Sequence, residues 1–82
     1  MFNNGWLQEP KTQNTKRFHK DKKSRVNYPK VFVDSGRPLS NKPALIKGRI
    51  YVDHKEAEDL WSKLQRQGWR KVRPQWGKSL DV

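Results

Sequence analysis

One amphipathic helix, encoded between Asp53 and Gly68, constrains the fold more than any other feature of this sequence. Its apolar residues recur at the i, i+3, i+4 and i+7 spacing of a single stripe: Ala57, Leu60, Trp61 and Leu64. Acidic side chains lie early in the segment and basic ones late, which suits the helix dipole. A helix with one apolar stripe must bury it against another element, so we expect Trp61 in the core.

Both ends of this helix carry recognisable signals. Asp53 is a good N-cap, and Glu56 three residues later completes a capping box. Gly68 predicts a left-handed C′ position, followed by Trp69 at C″. A Schellman cap would bring Trp69 back against Leu64, so Trp69 is predicted to close the helix and join the core.

Two strands are predicted before the helix. Residues 30–34 form a β-branched and aromatic run, which the turn residues Ser35–Pro38 should end. Residues 44–52 alternate in character, with Ile46, Ile50 and Val52 assigned to one face and Leu45, Lys47, Arg49 and Tyr51 to the other. Gly48 in the middle indicates a bulge, or a turn that splits the strand.

The beginning of the chain is dominated by charge. Residues 16–25 hold six Lys or Arg against Asp21 alone, which favours a loop or a mobile arm. Apolar anchors at either end of the polar insert 11–16, Trp6-Leu7 and Phe18, are compatible with a short hairpin of strands 5–8 and 16–19. We therefore expect a basic arm over 1–28, a compact core over 29–77 and a flexible tail over 78–82. The predicted class is α+β, with three to five short antiparallel strands and one helix on one face.

Length and charge limit the function. A chain of 82 residues suits one domain. The net charge of +11 favours an anionic partner, although such a charge can also serve solubility alone. Cysteine is absent, no apolar run approaches the ~20 residues of a membrane span, and the start lacks a signal pattern. We therefore expect a cytoplasmic protein.

Several short motifs, in order, resemble those of a family of short cyanobacterial proteins of unknown function, domain-of-unknown-function family 1651. The motifs are Gly5-Trp6-Leu7, Arg17-Phe18-His19, Val31-Phe32-Val33-Asp34 with Gly36-Arg37, Pro43-Ala44-Leu45, Ala57 with Leu60-Trp61, Gly68-Trp69 and Pro74-Gln75-Trp76. The resemblance covers most of the chain and implies a cyanobacterial, intracellular setting. It brings no established activity and no catalytic residue.

Catalytic and metal-binding signals are weak. His19 lies in the basic run and is expected to be solvated, flanking Phe18. His54 and Glu58 share a helical face, but two ligands do not make a zinc site. The glycines at 36, 48, 68 and 77 are separate and do not form a phosphate loop. We expect no enzymatic activity, no cofactor, no metal and no small-molecule substrate.

The candidate contact residues are basic or aromatic. The predicted nucleic-acid or anion contacts are Lys16, Arg17, Lys20, Lys22, Lys23, Arg25, Arg66, Arg70, Lys71 and Arg73. They would form one phosphate-tracking surface if the arm and the end of the chain lay on the same side. Trp76 and Trp6, which no helix pattern restrains, are the predicted stacking or interface residues.

Two functions fit these features. The first is a sequence-tolerant module that binds RNA or single-stranded DNA, since no helix-turn-helix, zinc-finger or RNA-recognition signature is present. The second is an adaptor that docks on an acidic protein through exposed Trp6 and Trp76 beside arginines. An anionic membrane surface ranks third, because the helix begins acidic.

Overall fold

A computed structural model describes residues 5–77, which form one antiparallel sheet and one helix. The elements are β1 (Trp6–Gln8), β2 (Thr15–Lys20), β3 (Lys30–Leu39), β4 (Lys42–Asp53), α1 (His54–Arg66) and β5 (Arg70–Lys71). The strand order is β4-β3-β2-β1-β5, and α1 packs on one face. This arrangement confirms the predicted α+β class. Within residues 5–77, no helix is long and apolar enough to cross a bilayer.

The core lies between α1 and the central strands. Its buried members are Leu7, Phe18, Val31, Val33, Ala57, Trp61 and Leu64. Trp61 is 3% exposed and meets Phe18 edge to face, with ring centroids 5.1 Å apart. A Cβ on Gly5 would lie 2.7 Å from the Trp61 ring, so the close approach of the backbone just before β1 to the indole requires glycine. The prediction that Trp61 serves the core is confirmed.

The helix has the predicted cap at its end but not at its start. At the start, Asp53 makes no side-chain cap hydrogen bond, and its carboxylate instead pairs with Lys30 at 2.8 Å, so the predicted capping box is wrong. At the end, Gly68 has a φ of 98°. The Trp69 N–H donates to the Leu64 carbonyl at 3.0 Å, as a Schellman cap requires, and Trp69 packs against the core.

Residues 6–8 and 15–20, in the predicted basic arm, belong to the same sheet as the predicted core. β1 and β2 pair with each other, which confirms the hairpin, but both are interior strands of the sheet. Leu7 and Phe18 are fully buried. On β2, Arg17 and His19 face away from α1, whereas Lys16 and Lys20 flank Phe18 on the helix side. A high charge along the sequence therefore does not prevent burial of Phe18. The predicted tail, 78–82, lies outside the described residues.

The hairpin of β3 and β4 is longer than predicted. Ser35–Pro38 do not end β3, which continues to Leu39, and the turn falls at Ser40 and Asn41. Pro38 lies at a register shift between Arg37 and Leu39, where the ladder tolerates a residue without an N–H.

A bulge reverses the expected faces in the first half of β4. Ser35 is opposite Gly48 and Gly36 is opposite Ile46, so Lys47 has no partner on β3. This confirms the bulge predicted at Gly48. The extra residue places Ile46 on the face of Arg49 rather than that of Ile50, because one inserted residue inverts the alternation.

Replacing Gly68 with alanine should destabilise the fold by about 1–2 kcal/mol, because its positive φ is costly for an L side chain. Urea denaturation followed by tryptophan fluorescence measures the loss. Gly77→Ala is the matched control, since a Cβ there meets nothing within 4 Å and its φ is not positive. Equal stability of the two variants would contradict the C′ assignment.

Candidate functional site

Three rings form a row on the sheet face opposite α1. His19, Phe32 and Tyr51 lie directly across from one another on β2, β3 and β4. Ring centroids are 5.3 Å apart for His19 and Phe32, and 4.7 Å apart for Phe32 and Tyr51. Tyr51 is 47% exposed. We call these three residues the ring row.

An ionic cluster beside the ring row, on the same face of the sheet, fixes the position of its rings. Arg49 binds Asp34 through two contacts, Nε to Oδ1 at 2.5 Å and Nη2 to Oδ2 at 3.0 Å. His19 Nε2 lies 2.8 Å from the same Oδ2. The Arg49 guanidinium also lies 4.6 Å from the Phe32 ring centroid. Asp34 therefore orients two of the side chains that surround Phe32.

Asp34 stays ionised in this cluster. Burial acts to raise the pKa of its carboxyl, but hydrogen bonds from Arg49 and His19 outweigh burial and lower the pKa below its usual value. The side chain of Asp34 is nearly fully buried, and a buried carboxylate is stable only when it is paired in this way.

The loop after β2 is tied to the far end of the ring row. The Tyr51 hydroxyl donates to Asp21 Oδ2 at 2.5 Å. This hydrogen bond raises the pKa of Tyr51 and lowers that of Asp21. On the other side, Lys30 Nζ lies 5.7 Å from the Tyr51 ring centroid while it pairs with Asp53. Tyr51 is therefore held from both sides with its ring still accessible.

A groove of about 410 Å³ runs beside the rings. Its lining consists of His19, Lys20, Asp21, Lys22, Lys23, Phe32 and Arg49. Four of these seven side chains are cationic and one is acidic. The groove thus combines four cationic side chains with the rings of His19 and Phe32.

Trp6 and Trp76 are not exposed, contrary to the prediction. They meet edge to face with centroids 4.6 Å apart and are 9% and 8% exposed. Trp76 lies over Gly36, where an added Cβ would come within 3.1 Å of the indole. Trp76 therefore closes part of this sheet face, and the two indoles cover each other instead of offering a stacking surface.

The predicted basic contacts do not form one surface. Lys20, Lys22 and Lys23 meet in the groove, and Arg17 lies on the same sheet face, 5.4 Å from the Trp6 ring. Lys16 and Lys71 are both opposite Leu7 and so face the helix side, whereas Arg70 is opposite Gln8 on the outer edge strand. The remaining predicted contacts are exposed elsewhere: Arg25, Arg66 and Arg73. Strand alternation separates neighbours in sequence onto opposite faces.

Sequence reasoning missed Phe32, Asp34, Arg49 and Tyr51. The only signal for them was spacing, because Phe32 and Asp34, like Arg49 and Tyr51, are two residues apart and share a face. His19 was expected to be solvated, but its side chain is 18% exposed and bound to Asp34. His54 Nδ1 lies 3.4 Å from Glu58, and residues 5–77 contain no group of three metal-ligating side chains.

The fold and this site define a small α+β domain with one face closed by a helix and part of the other open. The chain belongs to a family of proteins of unknown function (DUF1651), whose model matches residues 4–76. This match confirms the resemblance; the cyanobacterial setting stays an expectation. No curated protein and no solved structure matches the chain.

Replacing Asp34 with asparagine should lower the free energy of unfolding at neutral pH by about 1–3 kcal/mol, because Arg49 and His19 lose a charged acceptor. Since the folded-state pKa of Asp34 is lowered, its stabilisation is present above the unfolded value of about 4 and is lost as pH falls through the folded-state pKa. The difference in the free energy of unfolding between the unmodified protein and the variant should therefore shrink in acid.

Urea unfolding at a series of pH values measures this effect. Asp59→Asn, which alters an exposed helical carboxylate, is the control and should change stability little at any pH. A pH-independent deficit for Asp34→Asn would show that its ionisation contributes nothing to stability.

Proposed function

We propose that this protein is a non-enzymatic module that binds single-stranded RNA or DNA with little sequence preference. The observation that carries the proposal is the ring row, three neighbouring rings on an open sheet face beside a lysine-lined groove. Base stacking on such rings is sequence-tolerant, because every base has a π-face.

The geometry suits unpaired bases. Phe32 and Tyr51 are tilted by 38° to each other rather than perpendicular, so their faces form one stepped surface. The Arg49 guanidinium beside Phe32 adds a second plane on which a base can stack. Bases inside a duplex are already stacked on their neighbours, so we expect a preference for single strands.

The lysines of the groove supply the electrostatic part of the affinity. Lys20, Lys22 and Lys23 line the groove together and would contact successive phosphates. Neutralising about three phosphates of a single strand gives a slope of log K against log salt near −2. This is shallower than the slope of about −5 that six contacts on duplex DNA would produce.

Docking on an acidic protein is the alternative function. The sequence predicts it from an exposed pair of indoles, but both Trp6 and Trp76 are buried. Capture of an acidic protein from nuclease-treated lysate, together with no binding to oligonucleotides, would favour the adaptor function over the proposed one.

Replacing Tyr51 with alanine should weaken binding to a short single-stranded RNA by about 5- to 150-fold, the equivalent of ~1–3 kcal/mol for one stacked base. Tyr51→Phe should retain most of the affinity, because it keeps the ring. Fluorescence anisotropy of a labelled oligonucleotide at ~50 mM salt, where electrostatic contacts are strong, measures both.

The matched control is Ile50→Ala. Ile50 neighbours Tyr51 on β4 and is 51% exposed, but it lies on the other face of the sheet. Equal affinity loss for Ile50→Ala and Tyr51→Ala would exclude the ring row as the stacking surface. Failure of the unmodified protein to bind would remove the proposed function altogether.

Replacing both Lys22 and Lys23 with alanine should make the salt slope shallower by about 1.4, because two phosphate contacts are lost. The control replaces Lys55 and Lys63, two exposed lysines of α1, and so changes net charge equally. Equal slopes for the two double variants would show that the groove does not hold the strand.

A further inference from the structure

A second cavity, of about 230 Å³, lies away from the ring row. It is lined by Asn14, Thr15, Lys16, Ser35, Gly36, Lys47 and Trp69. Two of these side chains are cationic and none is acidic. The cavity is bounded by the turn after β1, the β4 bulge and the indole that caps α1.

Lys16 brings an unbalanced charge into this cavity. Its Nζ donates to the Ser35 hydroxyl at 2.7 Å, and burial lowers the pKa of its ammonium. Within residues 5–77, no ion pair joins Lys16 to a carboxylate. An ammonium has three donors, so two remain after the bond to Ser35. Partial burial of a cation without a counter-charge is costly, and an anion would offset that cost.

Lys47 supplies a second cation from the bulge. It is the β4 residue without a partner on β3, and its Nζ lies 3.5 Å from Asn14 Oδ1, a contact at the limit of a hydrogen bond. Bulges commonly redirect a side chain out of the regular alternation. Here the bulge brings Lys47 to the cavity that also contains Lys16, and no carboxylate of the described chain pairs with it.

We propose that this cavity is a binding site for a small oxyanion, a phosphate or a phosphate monoester, held between the ammonium groups of Lys16 and Lys47. The Ser35 hydroxyl and the Asn14 amide are further polar groups at its wall. Trp69, whose place is fixed by its N–H bond to the Leu64 carbonyl, gives the site a rigid apolar side. The site is independent of the proposed nucleic-acid function, because Lys16 and the ring row lie on opposite faces of the sheet.

Nuclear magnetic resonance titration of the ¹⁵N-labelled protein with inorganic phosphate, at constant ionic strength in chloride, tests the site. We expect saturable shifts at the Ser35 amide, the Gly36 amide and the Trp69 indole, with a dissociation constant on the order of 1 mM. Lys16→Met should weaken this binding at least about tenfold, and so should Lys47→Met, because each loses a charged hydrogen bond. Lys42→Met, an exposed lysine at the start of the same strand as Lys47, should leave it unchanged.

A second arm with methyl phosphate identifies the source of the anion. Tighter binding of methyl phosphate than of inorganic phosphate indicates a phosphate ester, and tighter binding of inorganic phosphate indicates the free ion. Methyl phosphate has no base, so its binding cannot arise from stacking on the ring row. Shifts that do not saturate, or that persist unchanged in a folded Lys16→Met, Lys47→Met double variant, would overturn the proposal.

Discussion

The contact between Trp61 and Phe18 determines which face of the sheet is closed. The two rings meet edge to face beneath a helix of 13 residues, and the backbone just before β1 approaches the indole closely enough to require glycine at position 5. Residues 5–77 contain one such helix, which covers one face of the sheet. Within residues 5–77, the opposite face is therefore stabilised by contacts other than helix packing.

The opposite face is stabilised in two different ways. Near β1, Trp6 and Trp76 pack edge to face and are largely buried, and Trp76 also lies close to Gly36. Near β4, the buried carboxylate of Asp34 binds Arg49 and His19, and the rings of Phe32 and Tyr51 lie beside this cluster on the same face. The first region is closed, whereas the second leaves aromatic surface accessible beside four cationic side chains. The accessible aromatic surface of this face is therefore the ring row and not the tryptophans.

Much of the fold was predictable because its signals are local. The helix, its Schellman cap and the bulge at Gly48 each depend on residues within a few positions of one another. The expected faces of β4 failed before the bulge because a single unmatched residue, Lys47, inverts the alternation. The basic stretch 16–25 was expected to form an arm, although Phe18 within it is fully buried, since composition averages over both faces of a strand.

The sequence by itself determined one amphipathic helix, its ending at Gly68, several short strands and a strongly basic surface, because periodicity and turn chemistry are properties of neighbouring residues. Only the tertiary structure decided which side chains meet. His19, Phe32 and Tyr51 form a row through register between residues 13 and 19 positions apart, and the β4 bulge brings Lys47 to the cavity that contains Lys16. Register depends on how all the strands bury their apolar faces together, so no single stretch of sequence contains it.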